Sequence, residues 1–332
     1  MAQAWKCSGL RWVSGRPVLV WEGERRSGLV RGKRVAFRVV EGGVRGCVGA
    51  RGNPCPVRAV VAGRSTGGRC EECGRLDRAH SVAADTVADD PRPYHVYLAW
   101  FGPGMVKVGI TAVERGSARL LEQGAVCFSW LGAGPLMAAR RAEELLRAAL
   151  GVPDRIPYGA KRAVRAALPE TEGERAAEVR GLHARAVGLA GWPESLVREP
   201  CQVVDHVRAF GLDGAVPRAV GEVTELVAGG VVSGELVAAA GPDLHLAVTG
   251  SGSGSRSVVG SRSGSGSERG SQAVAGAVAG AVSKPGARSV VVLDTRLMTG
   301  WELVAVGGEK GSLTVPVRAF RDSPGPLQDG LF

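Results

Sequence analysis

Four cysteines carry the most specific chemistry in this chain. Cys70-Glu71-Glu72-Cys73 sets two thiols at the spacing of a zinc knuckle, and Cys47 and Cys55 lie upstream. Two intervening residues let one turn present both sulfurs to a single tetrahedral ion. Gly74 follows, where the backbone must bend around the metal. Cys47 and Cys55 are separated by seven residues, a wide spacing, and Gly49, Gly52 and Pro54 give that loop the means to fold back. Four thiolates close the coordination sphere, so the zinc they imply is structural. The competing reading is one redox or free-thiol pair with two incidental cysteines. Cys7 competes with Cys47 for its place, while Cys127 and Cys201 read as buried thiols. His80, near the cluster, reads as a surface-loop residue.

A second set of candidates follows. Arg115 and Arg119 are four apart, so they share a face of a helix expected over Val113 to Gln123 and stopped at Gly124. The next helix is expected from about Leu136 to just before Gly151, with Ala142, Leu145, Leu146 and Ala149 on its apolar face. At about 100° per residue Glu143 falls on the edge of that face and Glu144 points nearly away from it. A carboxylate at the edge of a buried stripe can line a cleft, whereas one on the outer face is solvated.

The elements that must position these residues read as an α+β, multidomain chain. Residues 1–45 alternate apolar and polar in short runs between Gly-rich turns, a strand pattern in which Trp5, Trp12 and Trp21 pack at core or edge. Residues 46–90 hold the cysteine cluster and a proline-marked linker. Residues 91–165 form a small mixed module: two strands around Gly102-Pro103-Gly104, a helix, a third strand over Ala125 to Leu131, and the helix bearing Glu143. Residues 166–200 form a helical connector. The stretch 160–198 mixes Lys161, Arg162, Arg165, Arg175, Arg180 and Arg185 with glutamates, which reads as a solvated helical hairpin or as a nucleic-acid face. Strands return over 201–321, interrupted by a Gly/Ser-rich, disordered loop at 249–286, and 322–332 is a tail. The N-terminal strands either pair with this β-rich domain or stand alone.

At 332 residues the chain can bury a sizeable core. Its net charge of +10 and pI near 9.7 favour an anionic partner, nucleic acid first, and arginine's dominance over lysine suits phosphate forks. Heavy use of Gly, Ala, Val and Arg also fits a GC-rich genome, which makes a compositional origin of the charge the competing reading. No apolar run reaches the length of a membrane span, and the first residues lack the apolar core of a signal peptide. A cytoplasmic, reducing setting is expected, where cysteines serve as metal ligands or free thiols.

The module resembles the GIY-YIG nuclease superfamily. His95-Val96-Tyr97 stands where that family has Gly-Ile-Tyr, and Lys107-Val108-Gly109 stands where it has Tyr-Ile-Gly. The whole chain also resembles an uncharacterised bacterial family that pairs a cysteine-rich N-terminal part with such a module, on Arg119-Leu120-Leu121-Glu122-Gln123-Gly124-Ala125 and the upstream Cys-x-x-Cys. The superfamily resemblance implies phosphodiester hydrolysis with Mg or Mn. It assigns Tyr97 to nucleophile activation, Arg119 to the phosphate, with Arg115 competing for that role, and Glu143 to the divalent ion. Lys107 replaces the second motif's tyrosine, removing its hydroxyl, and His95 replaces the first motif's glycine.

The chain ends in Gln328-Asp329-Gly330-Leu331-Phe332, which resembles the bacterial sliding-clamp-binding pentapeptide. Gln328 would fix register while Leu331 and Phe332 anchor in an apolar groove. The expected function is a metal-dependent endonuclease in DNA maintenance. The alternatives are a catalytically inactive, zinc-containing nucleic-acid-binding adaptor and a structural or protein-interaction module.

Overall fold

The computed structural model describes residues 3–79, 90–214, 218–249, 288–307 and 311–320. His80, most of the Gly/Ser loop and the tail with Gln328, Leu331 and Phe332 lie outside the described residues. In chain order the elements are β1 (Ala4–Val13), β2 (Arg16–Trp21), β3 (Arg26–Gly28), β4 (Arg34–Val39), α1 (Glu71–Ala79), β5 (Pro93–Trp100), β6 (Val106–Ala112), α2 (Ala118–Gln123), β7 (Cys127–Pro135) and α3 (Leu136–Leu150). They continue with α4 (Tyr158–Val164), α5 (Glu172–Val187), β8 (Val197–Arg198), β9 (Val204–Asp205), α6 (Val207–Phe210), β10 (Ala219–Val223), β11 (Val231–Ala240), β12 (Asp243–Thr249), β13 (Arg288–Asp294), β14 (Glu302–Ala305) and β15 (Val317–Ala319). The chain is α+β and sheet-rich, and no described helix is long and apolar enough to cross a membrane.

Ten strands form one sheet in the order β15-β10-β13-β12-β11-β4-β14-β1-β2-β3. The N-terminal strands therefore do not stand alone: β4 lies between β11 and β14, and β14 pairs with β1. Alternation explains the arrangement. Val35, Phe37 and Val39 of β4 face one core together with Leu244, Leu246 and Val248 of β12 and Val291 and Leu293 of β13. The sheet curls around that core, so that the Trp12 indole on β1 donates to the Gly241 carbonyl in the β11–β12 turn at 3.1 Å.

The smaller sheet runs β6-β5-β7-β8, with β9 also paired to β7 and β5 central. Tyr94, Val96, Leu98 and Trp100 point to one face, where α3 and α5 cover them. Tyr97, Ala99 and Phe101 point to the other, against Leu120 of α2 and Phe128 of β7. The first strand after residue 201, where strands are expected to return as a β-rich domain, is only Val204–Asp205 and pairs with β7 of the small sheet.

Three local expectations need correcting. The helix expected over Val113 to Gln123 is two pieces, a 3-10 turn at Val113–Arg115 and then α2, because Gly116 at φ 47 breaks it. Arg115 and Arg119 consequently do not share one helical face. Cys201 is exposed, since it sits in the loop between β8 and β9, whereas Cys127 is buried. The basic 160–198 stretch is neither a solvated hairpin nor a continuous basic face: Lys161, Arg165 and Arg175 are buried, and Arg162 is turned toward carboxylates of the large sheet.

That last feature joins the two sheets. Arg162 bonds Asp243, Asp294 and Glu222, and Arg165 bonds Asp243 at 2.5 Å. Beside it Gly124, ending α2 at φ 73, meets Gly241 at φ 63 so closely that a Cβ on Gly241 would lie 3.0 Å from the Gly124 nitrogen. Glycine is required twice there, by conformation and by approach.

Candidate functional site

The cysteine cluster is assembled from two loops and the start of α1. The Sγ atoms of Cys47, Cys55, Cys70 and Cys73 all lie within 4.8 Å of one another, and Cys55 and Cys70 are 4.0 Å apart. A tetrahedral ion with ~2.3 Å bonds to sulfur needs sulfurs about 3.8 Å apart. The wide Cys47–Cys55 loop does fold back. Gly49 at φ 75 lets the chain pass so near Asn53 that a side chain there has no room, and its N–H donates to Cys47 Sγ at 3.3 Å. The Cys70 N–H also donates to Cys47 Sγ, at 3.2 Å. The Cys55 thiol is pulled down to about 7, chiefly by the Ala59 N–H, against the opposing effect of burial. Cys73 is pushed up to about 12 by burial and by its three cysteine neighbours, a repulsion that a central cation reverses. The four residues can hold a metal ion such as zinc. Cys7 is elsewhere, buried in the core of the large sheet, so it does not replace Cys47.

The second site lies on the α2 side of the small sheet. Tyr97 on β5 stands opposite Gly109 on β6, and its hydroxyl accepts from Gln123 Nε2 at 2.9 Å. Only a glycine fits opposite, because a Cβ there would fall 2.4 Å from the Tyr97 hydroxyl. Tyr97 is 1% exposed, and burial raises its pKa. The Lys107 ammonium lies 5.7 Å from the Tyr97 ring centre and donates to the Asp154 carbonyl at 3.2 Å. Burial first, and then Arg119, depress Lys107 to about 8, against the pull of Glu143 and Asp154. Glu143 is half-buried and Glu144 exposed on α3. Burial raises the Glu143 pKa, as does Asp154, while Lys107 and Arg147 act to lower it. Ala149, placed on the apolar face by the helical period, is exposed in the last turn of α3.

Tyr97, Lys107, Arg119 and Glu143 thus come from β5, β6, α2 and α3 to one neighbourhood, where the charges of Arg119 and Glu143 both act on Tyr97 and Lys107. Arg115 bonds Glu122 at 2.7 Å, the carboxylate that Arg119 approaches at 3.9 Å, and lines a groove with Arg11, Trp12 and Arg26. Two residues of the neighbourhood were not expected from the sequence. Asp154 follows α3 in a loop with no periodicity to mark it. Lys161, 3% exposed, donates to the Gln123 carbonyl at 3.1 Å and sits 3.8 Å over the Phe101 ring. Burial and the nearby Lys107 and Arg165 depress it to about 7. Its alanine-rich surroundings look solvated in sequence, and only the packing of α4 between the sheets buries it.

Residues 32–262 match a family described as a protein of unknown function, DUF2797. The chain belongs to this family. The DUF2797 segment includes the four cysteines and every residue of the second site, and it begins just ahead of β4. Comparison with curated proteins and with solved structures gave no match.

Proposed function

We propose that this DUF2797 chain is a metal-dependent phosphodiesterase of the GIY-YIG type that acts on nucleic acid, with a structural zinc in the cysteine cluster. The observation that carries the reading is the convergence of Tyr97, Lys107, Arg119 and Glu143 around a lysine depressed to about 8. The antiparallel strands that bring the two motif segments together, with Tyr97 facing Gly109, support the GIY-YIG resemblance.

Each residue has a task that its surroundings favour. Arg119, with 47% of its side chain exposed, is placed to receive a phosphate in its planar fork. Lys107 takes the proton of the attacking water, because a base poised near the working pH serves best and Tyr97 is pushed the wrong way by burial. Tyr97, held by Gln123, positions the floor of the cleft. Glu143, with Asp154 beside it, fits a divalent cation: two neighbouring carboxylates in a half-buried place repel unless a cation stands between them. Bound there, Mg or Mn would neutralise a phosphoryl oxygen and the leaving group.

The test is hydrolysis of labelled single-stranded, duplex and branched DNA, and of RNA, by the purified chain with Mg²⁺ or Mn²⁺. Turnover at substrate saturation should rise with pH and level off above about 8 as Lys107 loses its proton, and Lys107→Arg, which stays charged, should abolish the rising limb with the activity. A rate that falls through pH 8 would instead make Lys107 a phosphate-holding cation.

The near-complete burial of Tyr97 favours a second reading, the inactive nucleic-acid-binding adaptor, and salt-sensitive binding without cleavage would select it. A role in DNA maintenance rests on the terminal pentapeptide, outside the described residues. Deleting residues 328–332 should abolish binding to purified sliding clamp, and unchanged affinity would remove that partner.

A further inference from the structure

The loops around the cysteine cluster carry an unusual charge pattern. Residues 42–70 contain Arg45, Arg51, Arg58, Arg64 and Arg69 and no carboxylate. Arg45 is internal: 1% exposed, it donates to the carbonyls of Thr299, Ala62, Ser65 and Arg296. Arg69 pairs with Asp77. Arg51, Arg58 and Arg64 are exposed, and among the described residues their side chains make no hydrogen bond or ion pair. A zinc tetrathiolate would take back two of the positive charges, but from behind the surface.

Two of these arginines occupy backbone positions that disfavour them. Ala50 and Asn53 exchange both hydrogen bonds around Arg51 and Gly52, whose φ values are 53 and 80. This is a primed turn with two left-handed residues, whose preferred sequence is Asn-Gly. Arg58 closes the turn Cys55-Pro56-Val57-Arg58 by donating to the Cys55 carbonyl at 3.1 Å, with φ 46, at the position where glycine is favoured. The fold of the loops would be better served by asparagine and glycine. Strain of this kind, on exposed and unpaired cations, points to a ligand outside the protein.

We infer that the metal-clipped loops are a second nucleic-acid contact, in which Arg51 and Arg58 grip backbone phosphates. Packed residues link the loops to the second site. Arg45 ties the loops to the turn at 295–299, and Arg296 of that turn stacks 4.1 Å over the Tyr158 ring, whose hydroxyl donates to the Glu122 carbonyl of α2. Glu71, Glu72 and Glu225 stand around the loops, but among the described residues none pairs with Arg51 or Arg58, and two separate turns each presenting one fork suit successive phosphates of a polyanion. This inference rests on the nucleic-acid reading of the cleft.

The test uses the full, metal-loaded chain and a fluorescent DNA duplex and its single strand, with Ca²⁺ replacing Mg²⁺ so that the probe stays intact. The double variant Arg51→Asn, Arg58→Gly gives each turn the residue it prefers, so metal content and melting temperature should hold or rise. Its affinity near 0.1 M salt should fall about tenfold, and the slope of log affinity against log salt should shrink by about 1.8 on the duplex and about 1.4 on the single strand, the share of two phosphates. The variant Arg51→Lys, Arg58→Lys should keep most of the affinity. Equal binding by wild type and the Asn/Gly variant would overturn the inference and leave the cleft reading standing. Equal losses in both variants, with metal released, would make the arginines structural and overturn it too. No binding by the wild-type chain would remove both readings.

Discussion

Replacing Asp243 by alanine is expected to destabilise the protein by roughly 3–5 kcal/mol, the cost of leaving buried cations without their counter-charge. Asp243 is 0% exposed and stands between two arginines. One carboxylate oxygen accepts from Arg162 Nε at 3.0 Å and Nη2 at 2.6 Å, and the other accepts from Arg165 Nη1 at 2.5 Å. Arg162 keeps Glu222 and Asp294 in the variant, but Arg165 has no other carboxylate partner among the described residues and is buried. Burial alone would push the Asp243 carboxyl up, and the two guanidiniums outweigh that and hold it below the usual range. Since the folded value lies below the unfolded one, this stabilisation is complete above the ordinary aspartate pKa of about 3.9 and is lost as pH falls through the folded value. Urea unfolding at pH 7 should show the full difference between wild type and Asp243→Ala, and the two should converge only in strong acid. A difference below about 1 kcal/mol at pH 7 would mean that the network is incidental. The consequence reaches the second site, because Arg165 packs against Gly124 at the end of the helix that carries Arg119.

Metal removal is the second large effect. Beyond its cysteines the cluster's own core is Ala50 and Val61, with Ala59 beside them, too little apolar surface to hold some thirty residues together. If the cluster holds a metal, as we propose, the free energy of binding it adds to the Arg45 hydrogen bonds in folding the loops. The purified chain should release one zinc on thiol titration. Cys55→Ser or a strong chelator should open the loops to proteolysis within residues 46–79 and lower the melting temperature by several degrees, the drop that ~1–2 kcal/mol gives a domain of this size. Cys201→Ser should change neither, since that thiol is exposed and remote from the cluster. Four titratable thiols with no zinc, and loops that still resist protease, would show that packing alone suffices.

Much of this was legible in the residues. The period-2 pattern around Gly102 and Gly104 marks β5 and β6, the good helix formers ending at Gly151 mark α3, and the helical period separates Glu143 from Glu144. The cysteines could be grouped because the Cys-x-x-Cys pair constrains where its partners lie. Hidden features are those set by long-range packing. Lys161 and Arg165 read as surface charges until α4 is wedged between two sheets, and Asp243 and Asp294 that receive Arg162 are 81 and 132 residues away. The pairing of β1 with β14 joins the two ends of the described chain, and local pattern says nothing about it. The single helix expected for Arg115 and Arg119 was misjudged for a local reason: one glycine at positive φ ends the turn carrying Arg115, and the two arginines meet instead at Glu122.

The proposed phosphodiesterase depends on Glu143 to hold the divalent ion. The direct measurement compares wild type and Glu143→Ala on the same labelled nucleic acid with Mg²⁺ or Mn²⁺, with binding followed in parallel in Ca²⁺. Cleavage by wild type should fall by at least about a hundredfold in the variant while binding is kept, because the lost group acts on charge that develops only in the transition state. Equal cleavage by both proteins, or tight binding by wild type with no cleavage under either metal, would contradict the account.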